Sequence, residues 1–472
     1  MFAAAASAPA QEPVPTPAVP GIFPKLTCVA GHVPRTECGI GAVMPWADRL
    51  WYVSYLAHAA KTGTGTGLYS VDDSMHVVKH PESRDGTYAN RLIHKATNLL
   101  LIGPHTVDPQ GNVKTIEGLV PHRLGATAAH LTDPDRKAYY LTMEGLLLEA
   151  DVVSFEVKEV ADLKKELGIR GKCHFKAAHT AFGRLVVANN SYWEEDETSA
   201  PGSGHDADGR LAEWDGKGPW RILERTAFVE AAGNGILDDA IVATGWDRAS
   251  AILKIFTKGA WSTWRLPKGS HTYDHAWFTE WERAREAETE RLLLDVHGIF
   301  YEMPAMAYGG KVRGIRPIAA HLRMVPDFCS WRGMLVLAGD QTSSMQDKNA
   351  VGGQPQSNLW FGKTDDLWSF GKPQGWGGPW RDTPVKAGEP SVPYLMTGFD
   401  KKGVHFWHDA AEPVTFTIEV DPVGDGSWKT YAKIAVPPGA YEHHEFPAGF
   451  GAHWARVTVD RDCKATAWFV YP

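Results

Sequence analysis

One pattern recurs along the chain and limits what it can fold into: a short apolar run that ends in polar residues. It appears as "RLWYVSYLAH", "LLLIGPH", "AYYLTMEG", "RLVVANN", "AIVATGWD", "RLLLDVHG" and "MLVLAGDQ". Around each lie a shorter inner segment, a turn, a loop and a strand with aromatics and charges. Successive copies are separated by roughly 40 to 60 residues, the repeat of propeller blades with loop insertions. The 47 Gly, 31 Pro and 19 Trp agree with many short strands joined by turns, since aromatics favour pleated surfaces while Gly and Pro punctuate them. In such a fold each repeat is a four-stranded sheet whose innermost strand faces a central channel, and closure into a ring leaves few open edges. A β-helix needs a shorter period, and stacked sandwiches would not repeat the strand ends. The expectation is all-β: a seven-bladed β-propeller with additional C-terminal β-strands.

Three regions follow from this pattern. Residues 1–25 form a Pro/Ala-rich, disordered or processed N-terminus, residues 26–391 the propeller, and residues 392–472 strands that close the ring, add an eighth blade or make a small β-module. The opening "MFAAAASAPAQEPVPTPAVP" lacks a charged start and a full apolar stretch, so it reads as the remnant of a signal peptide. A secreted or periplasmic location is expected. In "WFTEWERAREAETERLL" charges recur at helical spacing, which suits a solvated helix or a long charged hairpin in blade six. The five cysteines show no C-x-x-C spacing, which argues against a zinc ribbon or redox motif; Cys28 and Cys38 could pair or remain thiols. A net charge of -8 argues against nucleic acid as a partner. No run of about 18 apolar residues occurs, so no membrane partner is expected. A monomer is expected.

Ring symmetry turns the repeat into a site. At the ends of the apolar strands the chain places His58, His105, Glu144, Asn190, Asp247 with Arg248, His297 and Asp340. On the inner segments "NRLIHK", "ATAAHL", "KAAHTAFG" and "TYDHAW" carry His94, His130, His179 and His275 in similar register. A channel rich in imidazole is therefore expected, suited to proton transfer near neutral pH and able to hold a divalent ion beside an Asp or Glu. G-x-S-x-G, P-loop and dinucleotide fingerprints are missing from the sequence. "TGTGTG" reads as a loop, and "WEEDE" at 193–197 as an acidic solvated loop in preference to a calcium site.

Longer strings carry a resemblance. "PWADRLWYVSY", "ANRLIHKATNLLLIGPHTVD", "HTAFGRLVVANNSY", "RLAEWDG", "ATGWDRASAILKIFT" and "HWARVTVDRDCKATAWFVYP" resemble the carbohydrate-active propellers of glycoside hydrolase family 145 and polysaccharide lyase family 42, the L-rhamnose-α-1,4-D-glucuronate lyases. The resemblance implies a seven-bladed propeller, a histidine acting as acid and base and, in the lyase group, a bound calcium (Ca2+) near the central face; it implies no organic cofactor. The lyase type works in an anterior pocket around the axis. The rhamnosidase type uses a posterior histidine, for which His58 is the nearest candidate.

The lyase reading predicts an oligosaccharide or polysaccharide substrate bearing uronic acid. β-Elimination removes the proton at C5 of the glucuronate, expels the C4 oxygen, and needs its carboxylate neutralised, a task suited to a bidentate arginine. His105 and His130 are the expected acid/base pair, Arg248 the neutralising cation oriented by Asp247, and Tyr192 a helper in proton transfer or a stacking platform. His94, His179, His275, Trp246 and His297 are expected to bind substrate, His179 and His275 also to support a metal. A rhamnosidase would instead need two carboxylates, for which Glu144 and Asp340 are available, and a non-catalytic glycan binder would use tryptophans such as Trp246 for stacking.

Overall fold

The computed structural model describes residues 27–28, 38–56, 66–190, 208–233, 240–269, 282–287, 291–304, 310–321, 323–341 and 358–472. The expectations for residues 1–25, His58, Tyr192, the loop 193–197, His275 and the side chains of Cys28 and Cys38 lie outside them. Cys173, Cys329 and Cys463 are free thiols.

The apolar runs become the second strands of antiparallel sheets. Blade one comprises Cys38–Trp46, Arg49–Leu56, Gly67–Val71 and Val77–Lys79. Blade two runs through Arg91–His94, Leu99–Ile102, His105–Val107 and Val113–Thr115. Blade three follows with Leu124–Ala129, Lys137–Thr142, Leu146–Asp151 and Val157–Asp162, and blade four with Phe175–Ala181, Arg184–Asn189, Arg210–Trp214 and Arg221–Glu224. Blade five holds Ala227–Gly233, Ile241–Trp246, Ala251–Thr257 and Ala260–Leu266. Blade six holds Arg283–Ala287, Arg291–Val296, Ile299–Pro304 and Arg316–Ala320. The charged segment expected as helix or hairpin is thus a hairpin where it is described: Arg283–Ala287 pairs with Arg291–Asp295.

Blade seven is completed from the other end of the chain. Phe328–Trp331, Met334–Ala338 and Asn358–Gly362 are joined at the outer edge by Thr27–Cys28. The first strands of the seven sheets touch in cyclic order, blade seven returning to blade one, so the sheets surround one axis as a β-propeller. The interfaces between neighbouring sheets hold the apolar cores; Ile40, Tyr52, Val336 and Leu359 bridge blades one and seven, and Val186, Phe228 and Ile241 bridge four and five.

Strand direction fixes which residues share a face. Each blade's first strand starts at what we call the upper face, so its second strand ends there and its third begins there. A parallel bridge between Tyr88 and Leu124 shows the first strands of blades two and three running the same way.

The C-terminal strands build a two-sheet sandwich. One sheet orders Gly375–Val385, Cys463–Tyr471, Gly403–His408 and Glu442–Glu445; its first strand lies ahead of the expected division at residue 391. The other orders Tyr394–Leu395, Trp454–Val459, Val414–Asp421 and Lys429–Val436. This second sheet continues blade five edge to edge, through Arg265 against Tyr394. Leu395 and Trp454 enter the core between blades five and six, with Trp454 packed on Trp264 at 4.6 Å between ring centroids.

Candidate functional site

The charges that meet at the axis are arginines and carboxylates. Asp327 lies just before the first strand of blade seven, and its Oδ2 accepts from Arg91 Nε at 2.6 Å and from the Val43 amide at 2.9 Å. Arg285, on the first strand of blade six, donates from Nε to Asp327 Oδ1 at 2.8 Å and from Nη1 to Glu230 Oε2 at 2.7 Å. Glu230 belongs to the first strand of blade five and also receives the Ala284 amide at 3.2 Å. Five of the seven blades thereby contribute to one ion network. Burial alone would raise the Asp327 carboxyl, but Arg91 and Arg285 outweigh it and hold it down at about 2. The Arg91 and Arg285 side chains keep 16% and 21% of their surface open, whereas Asp327 keeps 2%.

This network continues outwards into blades five and six on the upper side. Thr244 is the cross-strand partner of Glu230 and lies near the Glu282 side chain, its hydroxyl and both Glu282 oxygens being buried without a well-formed hydrogen bond. His297 Nε2 stands 3.0 Å from Glu282 Oε1, and Trp246 meets the imidazole edge-on at 5.2 Å between centroids. The turn is a tight hairpin in which His297 has φ 47° and Gly298 φ 78°, the doubly left-handed geometry that two-residue loops require. Burial raises the Glu282 carboxyl, with His297 and Thr244 opposing. A carboxyl pushed towards its neutral form beside an imidazole is a pair able to pass a proton.

The strand-end residues do share one face. His105, Glu144, Asn190, Asp247, Arg248, His297 and Asp340 all follow the second strands on the upper side. They do not all act as expected. Asp247 pairs with Arg265, at 2.6 and 2.9 Å, and caps its own turn through the amides of Ala249 and Ser250; it does not orient Arg248. The Arg248 turn is clasped by the sandwich, with Arg381 Nη1 donating to Arg248 O at 3.4 Å and Gly378 N to Ala249 O at 2.9 Å. Asp340 Oδ2 accepts from Tyr55 at 2.5 Å, and Glu144 is exposed and paired with Arg123, so these two carboxylates do not form a glycosidase pair. His105 is fully buried in the third strand of blade two, its Nδ1 on Thr115 Oγ1 at 3.0 Å. Burial, with smaller contributions from Arg84 and His80, pushes its pKa down to about 3. Its Nε2 and the Asn190 amide are buried without a hydrogen-bond partner.

Among the described inner-strand histidines, His94 and His130 stand at the opposite end. His94 closes the first strand of blade two, with Nδ1 on Thr97 at 2.7 Å. His130 follows the first strand of blade three, so it shares no cavity with His105 and the expected acid/base pair does not assemble. Its Nδ1 accepts from the Asp133 amide at 3.0 Å, which leaves the ring proton on Nε2 for Glu149 at 3.0 Å. His321 and His408 repeat this device, accepting from a later amide at Nδ1 and donating from Nε2 to Asp295 and to Val436 O. His130 is thus a turn lock. His179 presses on blade five: a Cβ at Gly233 would stand 2.2 Å from its Nε2, so only glycine permits the approach.

Among the described residues no group of three or more His, Cys, Asp or Glu side chains could hold a metal ion. Arg91, Glu230, Arg285 and Asp327 escaped the sequence reading; their one signal was charge within otherwise apolar inner segments such as "TAFVEAAG".

No family model matches the chain, and no curated protein matches it. Solved structures that resemble it include a chain of the mitotic checkpoint complex, with 11% identity over 74% of this chain and 97% of that one and a TM-score of 0.41. Another is U3-55K, with 10% identity over 71% and 97% and a TM-score of 0.42. The β-propeller domain of Myceliophteria thermophila Cps50 (Swd1) is similar at 10% identity over 65% and 94%, with a TM-score of 0.40.

Proposed function

We propose that the protein removes terminal L-rhamnose from L-rhamnose-α-1,4-D-glucuronate caps by β-elimination. The reading rests on the sequence resemblance and on one observation above all: an ion network shared by several blades whose Arg91 and Arg285 side chains keep 16% and 21% of their surface open, in the same propeller as the Glu282–His297 pair. In this assignment the arginines receive the glucuronate carboxylate, whose charge would otherwise oppose the carbanion developing at C5. The imidazole of His297 takes the C5 proton, the C4–O bond breaks as the C4=C5 bond forms, and Glu282 in its neutral form protonates the departing oxygen. Rhamnose leaves as the free sugar, and the uronate becomes 4,5-unsaturated.

A second reading, glycan binding without turnover, is favoured by burial: the His297 side chain and His105 reach no solvent in this form. Incubating the full chain with a rhamnose-capped glucuronide separates the readings. Lyase action gives free rhamnose together with ultraviolet absorbance from the unsaturated uronate. Rhamnose without that absorbance would replace elimination by hydrolysis, and binding with neither signal would leave a glycan-binding propeller.

A further inference from the structure

The outer sheet of the C-terminal sandwich turns an aromatic row away from its core. Along Gly403–His408 the buried residues are Val404, Phe406 and His408, so His405 and Trp407 point outwards. His405 lies directly across from Trp468 on one neighbouring strand and from His443 on the other, which lines up three rings over three strands. Tyr441 flanks them, its hydroxyl 2.6 Å from His405 Nδ1 and its ring stacked on both imidazoles at 5.7 and 6.2 Å between centroids. Trp407 is 36% exposed and Tyr441 55%. Trp407 Nε1 donates to Asp382 at 3.4 Å, which steadies the ring. Holding such rings in water, with their polar edges already bonded, leaves flat apolar faces uncovered, the surface that stacks on the C–H faces of a sugar.

Two further observations say what covers it. A cation meets the row: Arg381 lies over the Trp468 ring at 5.3 Å. The row is also continuous with the propeller, because the same Arg381 donates to Arg248 O on the upper turn of blade five. We propose that this face is a second, non-catalytic binding site for a polysaccharide chain carrying uronate groups, with Trp407 and Tyr441 as its stacking residues. This deepens the proposed function by naming a polymeric, acidic substrate, but the site's existence does not depend on turnover.

The test is affinity electrophoresis of the full chain in gels containing a glucuronate-bearing arabinogalactan, with a neutral galactan as comparator. Trp407→Ala with Tyr441→Ala should weaken retardation by the acidic polymer by about tenfold, the loss expected for removing stacked aromatics. Both residues are exposed, so the thermal transition should not move, and cleavage of a short rhamnosyl-glucuronide should be unchanged. Unaltered retardation in the double variant would overturn the site, and equal retardation by the neutral galactan would overturn its preference for uronate. Retardation lost in the variant while the wild-type chain fails to cleave the short glucuronide would uphold this site and remove the lyase reading alone.

Discussion

At the residue scale the clearest case is His105. Its sequence setting, an imidazole delivered by an apolar strand, suggested an acid/base group, and the fold instead seals it. An imidazole with its pKa pushed from 6.5 to about 3 stays neutral in the folded state while the unfolded chain takes up a proton below 6.5. Its full contribution to stability is therefore present above pH 6.5 and is lost as pH falls towards 3, on the order of 4 kcal/mol across that window. His105→Leu should flatten this acid limb when unfolding midpoints in urea are compared from pH 7 to pH 4. An equally steep limb in the variant would assign the acid loss to other groups. A lone imidazole in a sequence carries no sign of which nitrogen is bonded, or of how deeply the next blade buries it.

At the scale of elements, the recurrence of second strands was readable because burial on both faces writes a continuous apolar run. The described strand-end residues, from His105 to Asp340, fall on one face because each follows a second strand. What the sequence reading merged were two rings that alternating strand direction keeps apart: residues ending first strands, such as His94 and His130, face away from those ending second strands, such as Trp246. The axial ion network was out of reach because its partners are remote, Arg91 and Asp327 being 236 residues apart. The contact of His179 with Gly233 offers a test of how tightly neighbouring first strands are set. Gly233→Ala should cost about 1–3 kcal/mol by overpacking, and adding His179→Ala should recover much of it. Thermal denaturation of the two single variants and the double one measures the coupling, and strict additivity would show that the two do not meet.

At the scale of the molecule, the sandwich is built into the ring. Trp454, wholly buried, and Leu395 complete the core between blades five and six, so a chain ending before Gly375 would leave that core open. It should unfold at a lower temperature and less cooperatively than the full chain in a circular-dichroism melt. An unchanged, sharp transition would show that the ring is self-sufficient. The C-terminal strands were readable as strands, yet their partner was not: they extend blade five through Arg265 and Tyr394, a pairing between remote residues.

That pairing also sets reach. A module on a flexible tether samples a volume and raises the effective concentration of its cargo only on average. Here blade five continues by hydrogen bonds into one sheet of the sandwich, and the sheet that carries the aromatic row is bridged back to it at Lys268 and Trp376, so anything captured there is held at a fixed offset from the central opening. Polymers long enough to span that offset would gain avidity, and shorter ones would gain none.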